Sequence, residues 1–141
     1  MLTQMQAKNF KSWADTGPIP LAPLTGFFGT NSSGKSSLLQ ILLLYKMTTQ
    51  SNDSAIIFKT SSGNVDLGSV YDVMRFNSDN MEININWRLL EDTKVDKRIP
   101  KRLGFKVNIS NEQQNLIVNH ISYSIGSYAS WGGITKDLSV R

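Results

Sequence analysis

The stretch that most constrains the fold is the octapeptide G-T-N-S-S-G-K-S at residues 29–36. It fits the pattern G-x-x-x-x-G-K-[ST] of a phosphate-binding loop, in which backbone N–H groups surround phosphate oxygens. Such a loop follows a buried strand and opens a helix. The flanks meet this requirement, because residues 24–28 form a short apolar run and residues 36–45 are rich in leucine. We therefore expect a strand, a loop and a buried helix in that order.

Each residue type in the loop suits a nucleoside triphosphate, although a plain serine-rich helix cap is the alternative. The glycines permit backbone angles that a side chain would forbid, and the helix beginning near Gly34 directs N–H groups at the phosphates. Lys35 supplies a positive charge for the β- and γ-phosphates, and the Ser36 hydroxyl is a ligand for Mg²⁺. The predicted cofactors are ATP and magnesium, and the predicted phosphate-binding residues are Gly29, Thr30, Asn31, Ser32, Ser33, Gly34, Lys35, Ser36 and Ser37.

Composition indicates a globular protein of one domain. The 141 residues are 40% hydrophobic and 18% charged. The net charge of +4 permits contact with nucleic acid without arguing for it. The absence of cysteine excludes disulfides and thiolate metal sites. Because no signal-peptide pattern and no membrane-spanning apolar run is visible, we expect a cytoplasmic location and no membrane partner.

Hydrophobic patterning predicts the elements around the loop. Loose alternation over residues 2–10 predicts an edge strand, and residues 11–17 read as a turn-rich connection. Prolines keep residues 19–21 extended. The helix is expected over residues 34–50, and since it is apolar on nearly all sides, it should be buried between layers.

Beyond this helix the pattern is dominated by strands. The cleanest is at residues 81–89, where Met81, Ile83 and Ile85 alternate with polar residues. One strand–loop–helix unit (residues 1–50) followed by a largely antiparallel β-rich remainder (residues 51–141) predicts a single mixed α/β lobe, not a doubly wound fold. The other predicted elements are strands at 55–59, 103–110 and 116–125, turns at 61–64 and 111–112, a helical turn from Ser69, a loop at 90–102 and a weakly patterned stretch at 126–141.

Three segments carry a family resemblance: N-F-K-S at residues 9–12, G-x-N-x-x-G-K-S-S-L-L at residues 29–39 and V-D-L-G-S at residues 65–69. They resemble the first lobe of ABC-type ATPases of the SMC, RecF and OLD group, closest to its bacterial predicted AAA-family ATPases. The resemblance implies a P-loop NTPase lobe whose buried helix packs on a largely antiparallel, ABC-ATPase-like sheet. It also implies that the segment Lys11-Ser12-Trp13 lies near the base and ribose of ATP, with Lys11 and Ser12 as the candidate residues. The end of an edge strand is the alternative interpretation of this segment.

Members of this group dimerise head to tail around ATP. They act in DNA repair, chromosome handling or phage defence, often together with a nuclease subunit. The resemblance therefore implies self-association, and a nuclease and DNA as further partners. It predicts that this chain binds MgATP as the N-terminal part of a larger or split ATPase.

Hydrolysis in this group needs two further elements that the sequence does not clearly contain. An apolar run ending in acidic residues holds Mg²⁺, and the nearest approach, residues 87–92, is interrupted by Arg88. The second element, the signature turn, is a serine-glycine-glycine turn that opens a helix. Residues 130–133 match it only in part, because Trp131 is inserted between the serine and the glycines. We therefore expect no catalytic residue within this chain and ATP hydrolysis only when these parts are supplied downstream or by another chain.

Several residues are candidates by type alone. Gln113 or Gln114 could be the magnesium-contacting glutamine of the group, but turn residues are the simpler interpretation. His120 has no second histidine or cysteine with which to form a metal site. The tryptophans Trp13, Trp87 and Trp131 could stack on bases, although aromatic residues on strands are usually core.

Two other functions remain as alternatives. The chain could be a non-catalytic assembly module, in which residues 81–125 dock a partner subunit and any nucleotide is structural. It could also be a small kinase or a GTPase. The second idea is disfavoured, because the sequence has no guanine-reading N-K-x-D and the β-rich order is wrong for either class.

Overall fold

The computed structural model describes residues 1–49, 57–58, 60–62, 65–88, 102–126 and 134–139. Their main unit is an antiparallel sheet with one long helix packed against it, so the predicted mixed α/β fold is confirmed. The elements are β1 (Leu2–Phe10), β2 (Trp13–Asp15), β3 (Ile19–Pro20), α1 (Lys35–Thr49), β4 (Ile57–Phe58), β5 (Ser61–Ser62), β6 (Val65–Asp66), α2 (Val70–Val73), β7 (Asn80–Arg88), β8 (Arg102–Glu112), β9 (Asn115–Gly126) and β10 (Ile134–Ser139).

The sheet has the order β10-β9-β8-β7-β1-β2, with β3 beside β1 and β4 beside β9. All the pairings are antiparallel, and β7 lies between β1 and β8. The register places Ile83 of β7 opposite Ala7 of β1 and Val107 of β8. A separate pair, β5 and β6, precedes α2.

The two faces of the sheet differ in polarity, as the alternation in β7 predicts. One face carries the buried side chains and packs against α1. On the opposite face, the Glu82 carboxylate contacts Lys8 at 3.4 Å and Lys106 at 2.8 Å. The fully buried side chains of the core include Met5, Ala7, Phe10, Ile41, Leu44, Ile83, Val107 and Ile109.

The N-terminal strand is confirmed, but it is not an edge strand. β1 pairs with β7 along one side and with β2 and β3 along the other. The turn-rich connection expected at residues 11–17 is shorter than predicted, because the chain folds back at once into β2. The extended piece at residues 19–21 is confirmed as β3, which pairs with β1 through Ile19 and Pro20.

The strand predicted at residues 24–28 is wrong. This segment has no regular structure, and the side chains of Leu24 and Phe28 are 92% and 95% exposed. A strand needs a neighbour to pair its backbone groups, and no described strand pairs with these residues. A local turn forms instead, in which the Thr25 hydroxyl accepts from the Ala22 N–H at 2.9 Å.

Helix α1 is confirmed, but its apolar side chains are not buried on every side of the helix. Leu38, Ile41 and Leu44 face the core, whereas Leu39 and Leu43 on another face are 53% and 37% exposed. The described residues supply one sheet for the helix to pack on, so only one stripe of its leucines is covered. Near the end of the described side chains, Tyr45 lies 5.6 Å from Phe105 between ring centroids.

The C-terminal half follows the predicted β series with a shifted turn. β8 and β9 are joined at Gln113 and Gln114, not at residues 111–112, and both glutamines have positive φ (49° and 66°). Positive φ at both central residues is typical of a two-residue hairpin turn whose twist matches its strands. β10 was not predicted. Residues 90–101 of the predicted loop and parts of 55–59 and 126–141 lie outside the described residues, and Arg102, the last residue of that predicted loop, already belongs to β8.

Candidate functional site

The loop at residues 29–36 leads from an irregular segment directly into α1, which begins at Lys35. Ser32 and Gly34 have φ of 62° and 85°, on either side of Ser33. Residues of alternating backbone handedness turn successive N–H groups toward one point and form an anion-binding concavity. The start of α1 adds unsatisfied N–H groups and the positive end of its dipole. The backbone here therefore suits a phosphate.

The ammonium of Lys35 lies over the loop. Its Nζ donates to the carbonyl oxygen of Gly29 at 2.9 Å, to that of Thr30, and to the hydroxyl of Ser33 at 3.4 Å. These acceptors are neutral, whereas phosphate oxygens are charged and form stronger hydrogen bonds with an ammonium. A phosphate can therefore compete with the loop carbonyls for Lys35.

A cavity of about 210 Å³ opens at the start of α1. This volume is below the roughly 300–1,000 Å³ of clefts that enclose a small molecule, so these residues form a cradle for part of a ligand. Ser12, which the resemblance assigned to the site from a distant part of the sequence, is brought into the same lining. The cavity is lined by Ser12, Ser32, Ser33, Gly34, Lys35, Ser36 and Ser37.

The other predicted site residues lie around this cradle. Gly29 and Thr30 are held by Lys35 through their carbonyl groups, and Asn31 is exposed. Lys11 is not among the lining residues, and its backbone N–H donates to the carbonyl oxygen of Val73 at 2.8 Å.

One contact at the site was missed by the sequence analysis. The indole of Trp13, in the hairpin formed by β1 and β2, donates from Nε1 to the carbonyl oxygen of Gly34 at 3.4 Å. A Cβ added to Gly34 would lie 2.8 Å from this nitrogen and 3.3 Å from the Ser12 hydroxyl. The signal available in the sequence was the position of Trp13 directly after Ser12.

Hydrogen bonds shift the acidity of two carboxyl groups near the hairpin. Donors from the Gln6 amide and the Gly17 N–H lower the pKa of Asp15, and donors from Ser69 lower the pKa of Asp72, with a smaller effect of Lys11. A lowered pKa stabilises the fold above the unfolded value of that pKa, and the contribution is lost as pH falls through the folded value. Burial raises the pKa of Tyr45, with a smaller effect of Tyr123.

Magnesium fits this site only as a companion of a nucleotide. In the parts of the chain that the structure describes, no group of three or more His, Cys, Asp or Glu side chains is placed to hold a metal. Mg²⁺ commonly keeps one or two protein ligands and takes the rest from phosphates and water. The exposed hydroxyl of Ser36 at the cradle can serve as such a ligand.

The remaining candidates lie elsewhere or cannot be placed. Gln113 and Gln114 form the β8–β9 turn, and His120 lies on β9. Trp87 packs against the core. The acidic end of residues 87–92 and the partial match to the signature turn at residues 130–133 lie outside the described residues.

Substitution of Gly34 tests the geometry of the loop. Gly34→Ala combines a positive φ with a clash against Trp13, so we expect it to cost about 1–3 kcal/mol in strain and weaken MgATP binding roughly tenfold or more. Gly17→Ala is the matched control, because its φ is 63° but nothing lies within 4 Å of the added Cβ. Calorimetric titration should show a loss for Gly34→Ala alone. Equal MgATP affinity in the two variants would contradict the close approach at Gly34.

Comparisons with known proteins identify a family for the chain. Residues 1–138 match the family described as AAA ATPase domain. Among solved structures, one similar chain comes from work on ATP-driven dimerization and DNA-stimulated activation of SMC ATPases. It is 17% identical with a TM-score of 0.47, over 92% of this chain and 72% of that one. A search of curated proteins finds no significant match.

In the described residues, no helix has the length and apolar character needed to span a membrane. Because the family match extends over nearly all of its 141 residues, the chain belongs to the AAA ATPase domain family.

Proposed function

We propose that this chain binds MgATP at residues 29–37, as the phosphate-binding part of an ATPase. The observation that carries the proposal is the convergence of Lys35, the positive-φ backbone and four serine hydroxyls of the loop on one cavity. Each of these groups donates hydrogen bonds or positive charge, and none of the described residues that line the cavity carries a carboxylate. An anion with several oxygens is the ligand that such a site recognises.

The phosphate contacts predict an order of affinities. ATP and ADP should bind more tightly than AMP, because the loop and Lys35 are expected to contact the β- and γ-phosphates. Calorimetric titration of the 141-residue chain with each nucleotide and Mg²⁺ measures this order. Equal affinity for AMP and ATP would show that the loop does not bind the β- and γ-phosphates.

We expect binding without turnover. The sequence offers no clear acidic element to position the attacking water, so steady hydrolysis should be negligible with the chain alone. Phosphate release at saturating MgATP measures this directly. Sustained release that is lost in Lys35→Ala would mean that the chain already contains its catalytic carboxylate.

The wider role that we propose rests on the resemblance to the SMC, RecF and OLD group. There the nucleotide drives head-to-tail association, and the ATPase serves DNA repair or phage defence, often with a nuclease. For this chain the proposal is ATP-dependent self-association and action on DNA. Size-exclusion chromatography with light scattering, with and without MgATP, tests the first part.

An assembly module is the second candidate, and one observation favours it. Tyr123 and Ile125 lie on the same face of the sheet as the core, yet they are 40% and 45% exposed on β9. A partner subunit that docks there would cover them without using nucleotide. Association that is equal with and without MgATP would favour this function over ATP-dependent dimerisation.

A further inference from the structure

We propose that Trp13 is a positioning residue for the phosphate loop, an inference that rests on the proposed function. Its indole joins the β1–β2 hairpin to the first residues of α1. The hydrogen bond from Nε1 reaches the carbonyl oxygen of Gly34 at 3.4 Å. The same carbonyl oxygen accepts a hydrogen bond from the Leu38 N–H at 3.3 Å, and this bond closes the first turn of the helix. Trp13 therefore contacts the point where the loop becomes helix.

The hairpin is anchored in the core, so it can act as a fixed support. Phe10 at its base is fully buried and pairs with Trp13 across the turn. The Lys11 N–H donates to Val73 at 2.8 Å, and Phe10 forms a bridge with Met74. These contacts join the hairpin to β1 and to the segment around α2.

The loop itself has little such support. Residues 29–33 are exposed, and within the loop the Ser33 N–H donates to the Thr30 carbonyl oxygen at 3.4 Å, the same length as the bond from Trp13. The Lys35 contacts to the loop carbonyls would be exchanged for phosphate contacts when nucleotide binds. The Trp13 contact uses a different carbonyl oxygen, that of Gly34, from those that accept from Lys35, so this exchange does not by itself remove it.

Close contact also explains how Trp13 and Ser12 act together. The indole occupies the space that a side chain at Gly34 would need, with Nε1 2.8 Å from the position of an added Cβ. Its neighbour Ser12 is thereby held at the cavity lining. Trp13 thus lies between the hairpin and the start of α1, beside a cavity that residues of both segments line.

The expected consequence is an effect on affinity that acts through the loop. Without the indole, the loop would occupy binding-competent conformations for a smaller fraction of the time, and the apparent affinity falls by that fraction. Trp13→Phe keeps a ring but loses the donor, so MgATP should bind about two- to tenfold more weakly. Trp13→Ala should bind more weakly still, and Trp13→His, which keeps a ring N–H, should recover part of the loss.

Tryptophan fluorescence tests whether Trp13 lies at the nucleotide site. MgATP should alter the emission of the wild-type protein, and the change should vanish in Trp13→Phe at saturating nucleotide, although Trp87 and Trp131 remain. Trp87→Phe is the control and should keep the change. A residue that only stabilised the fold would lower the melting temperature but leave the affinity of the folded protein intact, so the affinity and its partial recovery in Trp13→His decide between the two roles.

The outcomes separate this inference from the proposed function. If the wild-type chain binds no MgATP by calorimetry, the proposed function fails and the role of Trp13 fails with it. If MgATP binds, but Trp13→Phe has wild-type affinity, the site stands and the inference is overturned. Should Trp13→Phe not fold, Trp13→His decides, because wild-type affinity in this variant with a smaller ring would overturn the inference.

Discussion

Lys35→Ala should weaken MgATP binding by roughly 10- to 100-fold, since hydrogen bonds to charged groups contribute about 1.5–3 kcal/mol. The Lys35 ammonium lies at the cavity and now donates to the neutral carbonyl groups of the loop. Alanine removes the cation that offsets phosphate charge and leaves the backbone N–H groups in place. Calorimetric titration with MgATP measures the loss.

Lys46→Ala provides the matched control for this experiment. Lys46 lies in the last turn of the same helix, and its side chain is exposed. Its removal changes the net charge by the same amount as Lys35→Ala, but far from the helix N-terminus. We expect nearly wild-type affinity in Lys46→Ala. Equal affinities in both variants would assign nucleotide binding, if present, to another part of the chain.

Ile83→Ala should be the most destabilising of these single substitutions, at about 2–5 kcal/mol. Ile83 is fully buried in β7, opposite Ala7 on one side and Val107 on the other. Truncation leaves a cavity in the centre of the sheet face that packs against α1. Urea unfolding followed by circular dichroism measures the change in the free energy of unfolding.

Asn84→Ala changes the next residue of the same strand and tests the pairing register of β7. Asn84 points to the polar face, opposite Gln6 and Lys106, so its removal should cost within about 0.5 kcal/mol. A shift of one residue in pairing would move every side chain of β7 to the other face. If Asn84→Ala were the more damaging variant, the register of β7 would be wrong.

The elements predicted best were those with a strong local pattern. The alternation at residues 81–89 predicted β7 and its buried face, because the side-chain period of a strand is the same in any sheet. Ser69 marked the start of α2, where the Asp72 carboxylate accepts from the Ser69 N–H at 2.8 Å. The leucine-rich run predicted α1 within one residue at each end.

The elements predicted worst depend on neighbours. The apolar run at residues 24–28 reads as a strand, but a strand exists only when another strand pairs with it. The neighbour that would bury Leu24 and Phe28 is not among the described strands. β2 has only three residues, too few for a period-2 pattern, and it forms because β1 offers a pairing edge, which no window of the sequence shows.

By itself, the sequence determined the loop, the helix after it and the hydrophobic face of β7, because these depend on residue type and spacing along a few turns or strands. The tertiary structure decided which side of α1 is buried, since that depends on where the sheet lies. It also decided that Ser12 and Trp13 meet Gly34, more than twenty residues away along the chain. Such a contact requires the hairpin to pack against the helix N-terminus, and packing between distant segments leaves no periodic signal in the sequence.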